Sequence, residues 1–308
     1  MALAENLFYS FKEKDSFTLG EAYSEYSSKP HETIRARIYD NLGVRFERIA
    51  KGVYRTINSE EICVVIEGDG RDLSMIEDES IDCILTDHPW LDPKSNKGGS
   101  RSFASYDCFQ YVQEDFYEKA RVLKEGCFLV EVLPTENENN YEYLYQIKQF
   151  ARQAGFIYYS KVPWKKGTFV SNTGRKAKNT QDIMIFSKGK ARNMRYDRKK
   201  SDQEGTDCYM SGCNGMLPTE FDVQPVSRKD RIHQSELPVS LCEQILNYVT
   251  YEGETVLDSF AGGGAVGEAA LMTKRNCILI EILAENIEKI KQRFEGRFIC
   301  MYGCNSSL

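Results

Sequence analysis

The chain has 308 residues, 41% hydrophobic and 28% charged, with a formal net charge of −6. That balance suits an α/β protein of one large domain or two smaller ones, and no apolar run nears the roughly 18–20 residues that span a bilayer. Ten cysteines contain no Cys-x-x-Cys pair and only three histidines accompany them, which excludes a zinc framework, so reduced thiols and a cytoplasmic location are expected.

Residues 1–58 read as a unit of their own. Leu3, Leu7, Phe8 and Phe11 recur at helical spacing, and Phe17-Thr18-Leu19 is a short β-like stretch. Gly20–Tyr26 suits a second helix. Pro30 begins a third, in which Ile34 and Ile38 share one side and leave His31, Thr33, Arg35 and Arg37 to solvent. Val44–Ile49 and Val53–Ile57 alternate like strands around Ala50-Lys51-Gly52, a hairpin signal. Three helices and a hairpin in this order resemble a winged helix-turn-helix domain. That resemblance implies Arg35 and Arg37 on a DNA-facing helix and Lys51 on a hairpin tip near phosphate; a packing or dimerisation module is the other use of such a fold.

The remainder, 59–308, reads as alternating strands and helices. Ile62–Ile66 is a short β-branched run, followed by Gly68-Asp69-Gly70. Ser80–Thr86 is a second such strand and delivers Asp87-His88-Pro89-Trp90. A helix is expected from Cys108 to Leu123, a strand at Gly126–Val132 and a helix from Tyr141 to Ala154. Strands are expected from Phe156 to Lys165 and over Gln181–Phe186. Between Lys165 and Lys200 lie twelve basic residues, including Lys165, Arg175 and Lys176, against Asp182 and Asp197. This stretch carries +10 and leaves −16 on the rest, a segregation that suits a polyanion or a solvated loop. A helix is expected over Val239–Val249. Glu254–Phe260 is a strand entering Ala261-Gly262-Gly263-Gly264, then a helix through Met272, and Cys277–Glu281 is a strand ending in an acid. Ligands of open α/β sheets bind at strand carboxyl ends, so Asp69 and Asp87 are expected in one crevice.

Asp87-His88-Pro89-Trp90 resembles the Asp-Pro-Pro-Tyr motif of DNA amino-methyltransferases, and Asp258–Gly264 resembles the Phe-x-Gly-x-Gly loop with which they hold S-adenosylmethionine (SAM). The catalytic segment precedes the cofactor loop by about 170 residues, an order that resembles the permuted beta class of that family. The resemblance implies a Rossmann-like SAM methyltransferase fold with a mostly parallel, doubly wound sheet. It implies transfer of a methyl group to the N6 amine of adenine in double-stranded DNA. Asp as the first motif residue leans toward adenine, and cytosine-N4 stays open.

In the family the first motif residue and the second residue's carbonyl bind the amine, and the aromatic residue stacks on a base swung out of the duplex. Asp87, His88 and Trp90 match those positions. Pro89 restricts His88 to extended backbone. His88 and Trp90 depart from the usual proline and tyrosine. By the same resemblance Asp258, Phe260, Ala261, Gly262 and Gly264 surround the methionine part of SAM, Glu281 takes the ribose and Asp69 lies near the adenine amine. His233–Leu241 resembles the family's His-x-x-x-Lys-Pro stretch, with Leu237 at the lysine position, and Trp164-Lys165 falls in its Trp-x-Lys region. Residues 187–230 occupy the interval of the target recognition insert, whose basic residues would set register on DNA. A second copy of the chain and a cognate restriction endonuclease are the further partners the resemblance allows. Two rivals are weighed: a nicotinamide dehydrogenase, which leaves Asp87–Trp90 without a role, and a catalytically silent DNA-binding regulator that keeps the SAM fold.

Overall fold

The computed structural model describes residues 3–42, 46–56, 63–90, 108–167, 180–194, 199–200, 207–208, 217–227, 229–232, 235–294 and 298–302. The amino-terminal part runs α1 (Leu3–Phe11), β1 (Phe17–Thr18), α2 (Leu19–Glu25), α3 (His31–Tyr39), β2 (Phe46–Ala50) and β3 (Val53–Thr56). Its strands form an antiparallel sheet in the order β1-β3-β2. Thr18 and Glu21 start α2 with a capping box, the threonine hydroxyl accepting from the Glu21 N–H at 3.1 Å and the glutamate accepting from the Thr18 N–H at 2.8 Å. Two of the four N–H groups that a helix start leaves open are thereby satisfied. Leu7, Phe11, Phe17, Ile34, Ile38, Phe46 and Tyr54 make the small core, with Phe11 stacked on Phe17 at 4.2 Å.

The second face of β2 and β3 is not free. Ile49, Ala50 and Val53 belong to the same buried cluster as Ile66, Leu73, Ile76 and Ile280 of the main unit. Arg48 ion-pairs with Glu77 and donates to the Tyr54 hydroxyl at 2.8 Å, its guanidinium lying 4.7 Å from the Tyr39 ring centre.

The main unit continues with β4 (Cys63–Glu67), β5 (Ile81–Thr86), α4 (Gln113–Val122), β6 (Leu123–Pro134), α5 (Tyr141–Gln153), β7 (Phe156–Lys165) and β8 (Thr180–Lys188). The short β9 (Lys199–Lys200) and β10 (Asp207–Cys208) pair with each other, and β11 (Phe221–Asp222) follows. Then come α6 (Val239–Val249), β12 (Thr255–Asp258), α7 (Ala265–Met272), β13 (Asn276–Glu281), α8 (Ala284–Phe294) and β14 (Phe298–Tyr302). The nine-stranded sheet has the order β11-β7-β8-β6-β5-β12-β13-β4-β14. All neighbours in it are parallel except β8, antiparallel to both β6 and β7. The mostly parallel, doubly wound sheet is as expected.

Both faces of the sheet are covered, as a parallel sheet requires. Cys63, Val65, Cys83 and Leu85 point to the side of α6, α7 and α8, while Val64, Ile66 and Ile84 point to the side of α4 and α5. This alternation is the strand period of two. Ile287, Ile290 and Phe294 form one stripe of α8 and seal the first side. Each such fully buried large apolar side chain contributes roughly 1.5–3 kcal/mol.

Two expectations are revised. The helix expected from Cys108 begins only at Gln113, because Phe109 donates its N–H to the Pro89 carbonyl at 3.0 Å and bridges Trp90, while Asp115 caps the Val112 N–H at 2.7 Å. The 187–230 interval is also not all insert. β11 joins the main sheet beside β7, and Met194, Phe221 and Val223 are buried in its core.

Candidate active site

β5 and β12 are adjacent, pairing Cys83 and Ile84 with Val256 and Leu257. Their carboxyl ends therefore lie side by side at the point where chain order reverses, the place where open α/β sheets bind ligands. The two motif segments are joined there: the Thr86 hydroxyl donates to Asp258 Oδ1 at 2.8 Å, although 172 residues separate them. The Phe260 N–H donates to the same carboxylate at 3.1 Å.

Asp87 follows Thr86 and keeps a partly exposed edge. Burial pushes its carboxyl up to about 8; Lys166 opposes the shift, Asp258 and Glu131 add to it, and a hydrogen bond from the Trp90 side chain lowers it. Asp258 is raised by burial to about 7, with the hydroxyl of Thr86 opposing. Neutralising either carboxyl is therefore easy near neutral pH, and a bound cation would be favoured next to both.

His88 is fully buried behind Asp87, and its carbonyl accepts the Trp90 N–H at 2.8 Å. A carbonyl oxygen has a second lone pair, so this leaves one acceptor position for a ligand. Pro89 and Trp90 run on at the mouth, both half-buried. Phe109, which no motif flagged, lies between the segments, 5.4 Å from Phe260 and 5.8 Å from the His88 ring.

The glycine loop is held from several sides. Gly262 and Gly264 have φ of 53° and 80°, the left-handed region that favours glycine, and Gly264 caps α7. Glu281 at the end of β13 accepts from the Gly262 N–H and the Leu283 N–H, each at 2.8 Å, and the Asn286 side chain and Ile282 N–H also donate to it. Ala261 donates its N–H to the Ile280 carbonyl at 3.0 Å. Gly70 packs so tightly beneath this loop that a Cβ would fall 1.7 Å from the Ser259 carbonyl oxygen. Asp69, just before it, is exposed and accepts the Arg71 N–H at 3.0 Å.

Arg293 of α8 is a further support that motif reading missed. It ion-pairs with Glu236 at 2.8 Å and with Glu268, and it donates to the Gly263 carbonyl at 2.6 Å. Leu237, at the family's lysine position, is buried in the core. The only sequence signal of Arg293 is a basic residue one place before the last apolar position of α8.

The structure spreads the expected DNA contacts. Arg35 and Arg37 are exposed on α3, Arg37 paired with Asp40 at 2.8 Å. Lys51 at the hairpin tip donates to the Ser74 carbonyl at 3.3 Å, turning toward the main unit. Lys165 at the end of β7 pairs with Asp222 at 2.8 Å and Glu220 at 3.6 Å. Its neighbour Lys166 is the residue whose charge bears on Asp87, and burial lowers its pKa with Asp87 opposing. Arg175, Lys176 and His233 lie outside the described residues. Among the described residues there is no His, Cys, Asp or Glu group fit to hold a metal, and no helix long and apolar enough to cross a membrane.

The Type II methyltransferase M.HpaI of Haemophilus parainfluenzae is 27% identical over 233 residues, 73% of this chain and 72% of its own. M.BamHI of Bacillus amyloliquefaciens is 30% identical over 242 residues, 72% of this chain but 54% of its own. M.BglI of Bacillus subtilis is 26% identical over half of this chain and 43% of its own length. Among solved structures, the M1.HpyAVI–SAM complex superposes with a TM-score of 0.54 at 19% identity, over 76% of this chain and 99% of its own. The cytosine-N4-specific PvuII DNA methyltransferase does so at 0.52 and 14%, over 78% and 95%. These two likenesses establish a shared Rossmann-like methyltransferase fold. The N6/N4 methyltransferase model, described as DNA methylase, matches residues 81–292, a span that holds Asp87, Asp258 and Glu281 together, and the chain belongs to that DNA methylase family.

Proposed function

We propose that the protein transfers a methyl group from SAM to the N6 amine of adenine in double-stranded DNA. The carrying observation is the Thr86–Asp258 hydrogen bond, which locks the Asp87 segment to the cofactor loop in one crevice. The crevice suits SAM chemically. Raised carboxyls at Asp87 and Asp258 favour a sulfonium, and Glu281 at the next strand end would take the ribose. Phe260 to Gly264 and Asp69 would complete the cofactor site. When bound, SAM supplies an electrophilic methyl group.

The chain's own residues then prepare the nucleophile. An exocyclic amine is poorly nucleophilic because its lone pair is delocalised into the ring. Asp87 and the His88 carbonyl, two acceptors fixed on adjacent residues, would hold the amine's hydrogens and draw the nitrogen toward sp3 geometry. Trp90 would stack on the extruded base, and Asp87 would receive the proton that the methylated nitrogen sheds. Asp at position 87 supports adenine over cytosine. Residues 1–58, read as a winged helix, would add DNA contacts through Arg35 and Arg37.

The test is incubation with labelled SAM and unmethylated genomic DNA, followed by mass spectrometry of the nucleosides. N6-methyladenine formed by the wild type and lost in Asp87→Ala is the expected result. N4-methylcytosine would overturn the adenine assignment, and SAM binding with no transfer to any DNA would overturn the enzymatic reading.

A further inference from the structure

Behind Asp87 lies a cluster of polar side chains that the transfer itself does not consume. His88, Glu131 and Lys119 are 1%, 0% and 2% exposed, and Tyr111 and Tyr143 close around them. Lys119 ion-pairs with Glu131, and the Tyr111 hydroxyl donates to Glu131 Oε2 at 3.3 Å. The Tyr143 hydroxyl accepts the Tyr111 N–H at 3.1 Å and lies 2.7 Å from His88 Nε2. The His88 ring is 4.0 Å from the Tyr111 ring centre.

This arrangement favours one imidazole tautomer. Burial works against an ionised Glu131, but the Lys119 charge and His88 outweigh it and hold its pKa below the usual range. Glu131 is therefore an acceptor only. His88 Nδ1 faces its Oε2 at 3.6 Å, short of a hydrogen bond. Burial keeps the imidazole neutral by lowering its pKa. One ring proton must be shared between two nitrogens, and the one facing the carboxylate takes it. Nε2 is then the acceptor, and the single Tyr143 hydroxyl proton is donated to it.

A buried ionic cluster of this kind is a poor source of stability, since apolar replacements are often neutral or better. Its position suggests another use. A proline at position 88 would fix φ, whereas histidine leaves that torsion soft. Here the ring is held at its far end by α5 and across its face by Tyr111.

We propose that His88 is a positioning residue, its imidazole clamped by Tyr143, Tyr111 and the Glu131–Lys119 pair so that the Asp87 carboxylate and the His88 carbonyl stay aimed at the base amine. This rests on the amine-methylating reading above. Slack of about an ångström at such a pair costs on the order of 10²-fold in rate.

The test uses the full chain with His88→Leu, His88→Gln, His88→Pro, Tyr143→Phe and Asp87→Asn. Folding is followed by melting, SAM affinity by direct binding and transfer by label from SAM to unmethylated genomic DNA. His88→Leu should lower kcat about 30- to 100-fold and Tyr143→Phe about 5- to 10-fold, with SAM affinity within about twofold of wild type. His88→Gln, whose amide reaches the Nε2 position, and folded His88→Pro, whose ring fixes φ, should each recover most of the loss. Full kcat in folded His88→Leu or Tyr143→Phe would overturn the proposal, as would equal losses in the Gln and Leu variants. Tyr143→Phe decides the matter if His88→Leu does not fold. Undiminished transfer by Asp87→Asn would sink the functional reading itself, whereas a dead Asp87→Asn beside an intact Tyr143→Phe sinks the clamp alone.

Discussion

The strand β5 carries a carboxylate near each end, and the two are treated in opposite ways. At the amino end Asp82 accepts from Lys124 at 2.7 Å and from the Thr255 N–H at 3.0 Å. Nearby, Glu254 is paired with Arg192. At the carboxyl end Asp258 is buried and Asp87 partly exposed, and burial raises both pKa values although Thr86 and Lys166 oppose it. Four residues of β5 thus separate a charge placed for stability from one placed at a candidate ligand site. A carboxyl raised by burial at a strand end marks a candidate ligand site, where a bound molecule can add the missing partner.

The sharpest way to break this contrast is Asp87→Asn. Loss of an acceptor used mainly in the transition state should cut kcat by about 10³-fold with SAM binding nearly intact, measured by label transfer and direct binding. Gly70→Ala comes next. A methyl 1.7 Å from the Ser259 carbonyl must displace the cofactor loop, so stability should fall by about 3 kcal/mol and SAM affinity by tenfold or more, read by denaturant unfolding and calorimetry. Asp82→Ala is the mirror experiment at the other end. It strands the buried Thr255 N–H and should cost about 2 kcal/mol while leaving kcat unchanged in the folded protein.

The pH dependence sharpens the same comparison. Asp87 and Asp258 titrate at about 8 and about 7, above the roughly 3.9 of an unfolded aspartate. The folded chain therefore binds these protons more tightly. Their contribution to stability is full below about pH 4 and is lost as pH rises through 7 and 8. Asp87→Asn should melt several degrees above wild type at pH 9 and converge with it near pH 4. The smallest effect is expected far from the crevice. Arg35→Ala should weaken DNA binding a few-fold and reduce its salt slope by about one, measured by titration at several salt concentrations.

The central strands are legible in the sequence because their apolar runs are short, rich in β-branched residues and end at an acid. The runs at 62–66, 80–86 and 277–281 form β4, β5 and β13 to within a residue or so. Asp87, Asp258 and Glu281 stand out because motif residues sit directly on those strand ends. The clamp around His88 does not, since Lys119, Glu131 and Tyr143 come from α4, β6 and α5 and meet only in the fold. Glu131 inside an apolar run is the one visible sign. Arg293 escapes for the same reason, its partners lying 25 to 57 residues away.

The hairpin β2–β3 has a bearing on how the chain is handled. Because Ile49, Ala50 and Val53 share a core with Ile66 and Ile280, cutting the chain near residue 58 would bare greasy strand surface beside β13, the strand that ends in Glu281. A truncated form made to isolate the enzyme should therefore clump or lose its grip on SAM. The leading module is better regarded as a wall of the house than as a detachable porch.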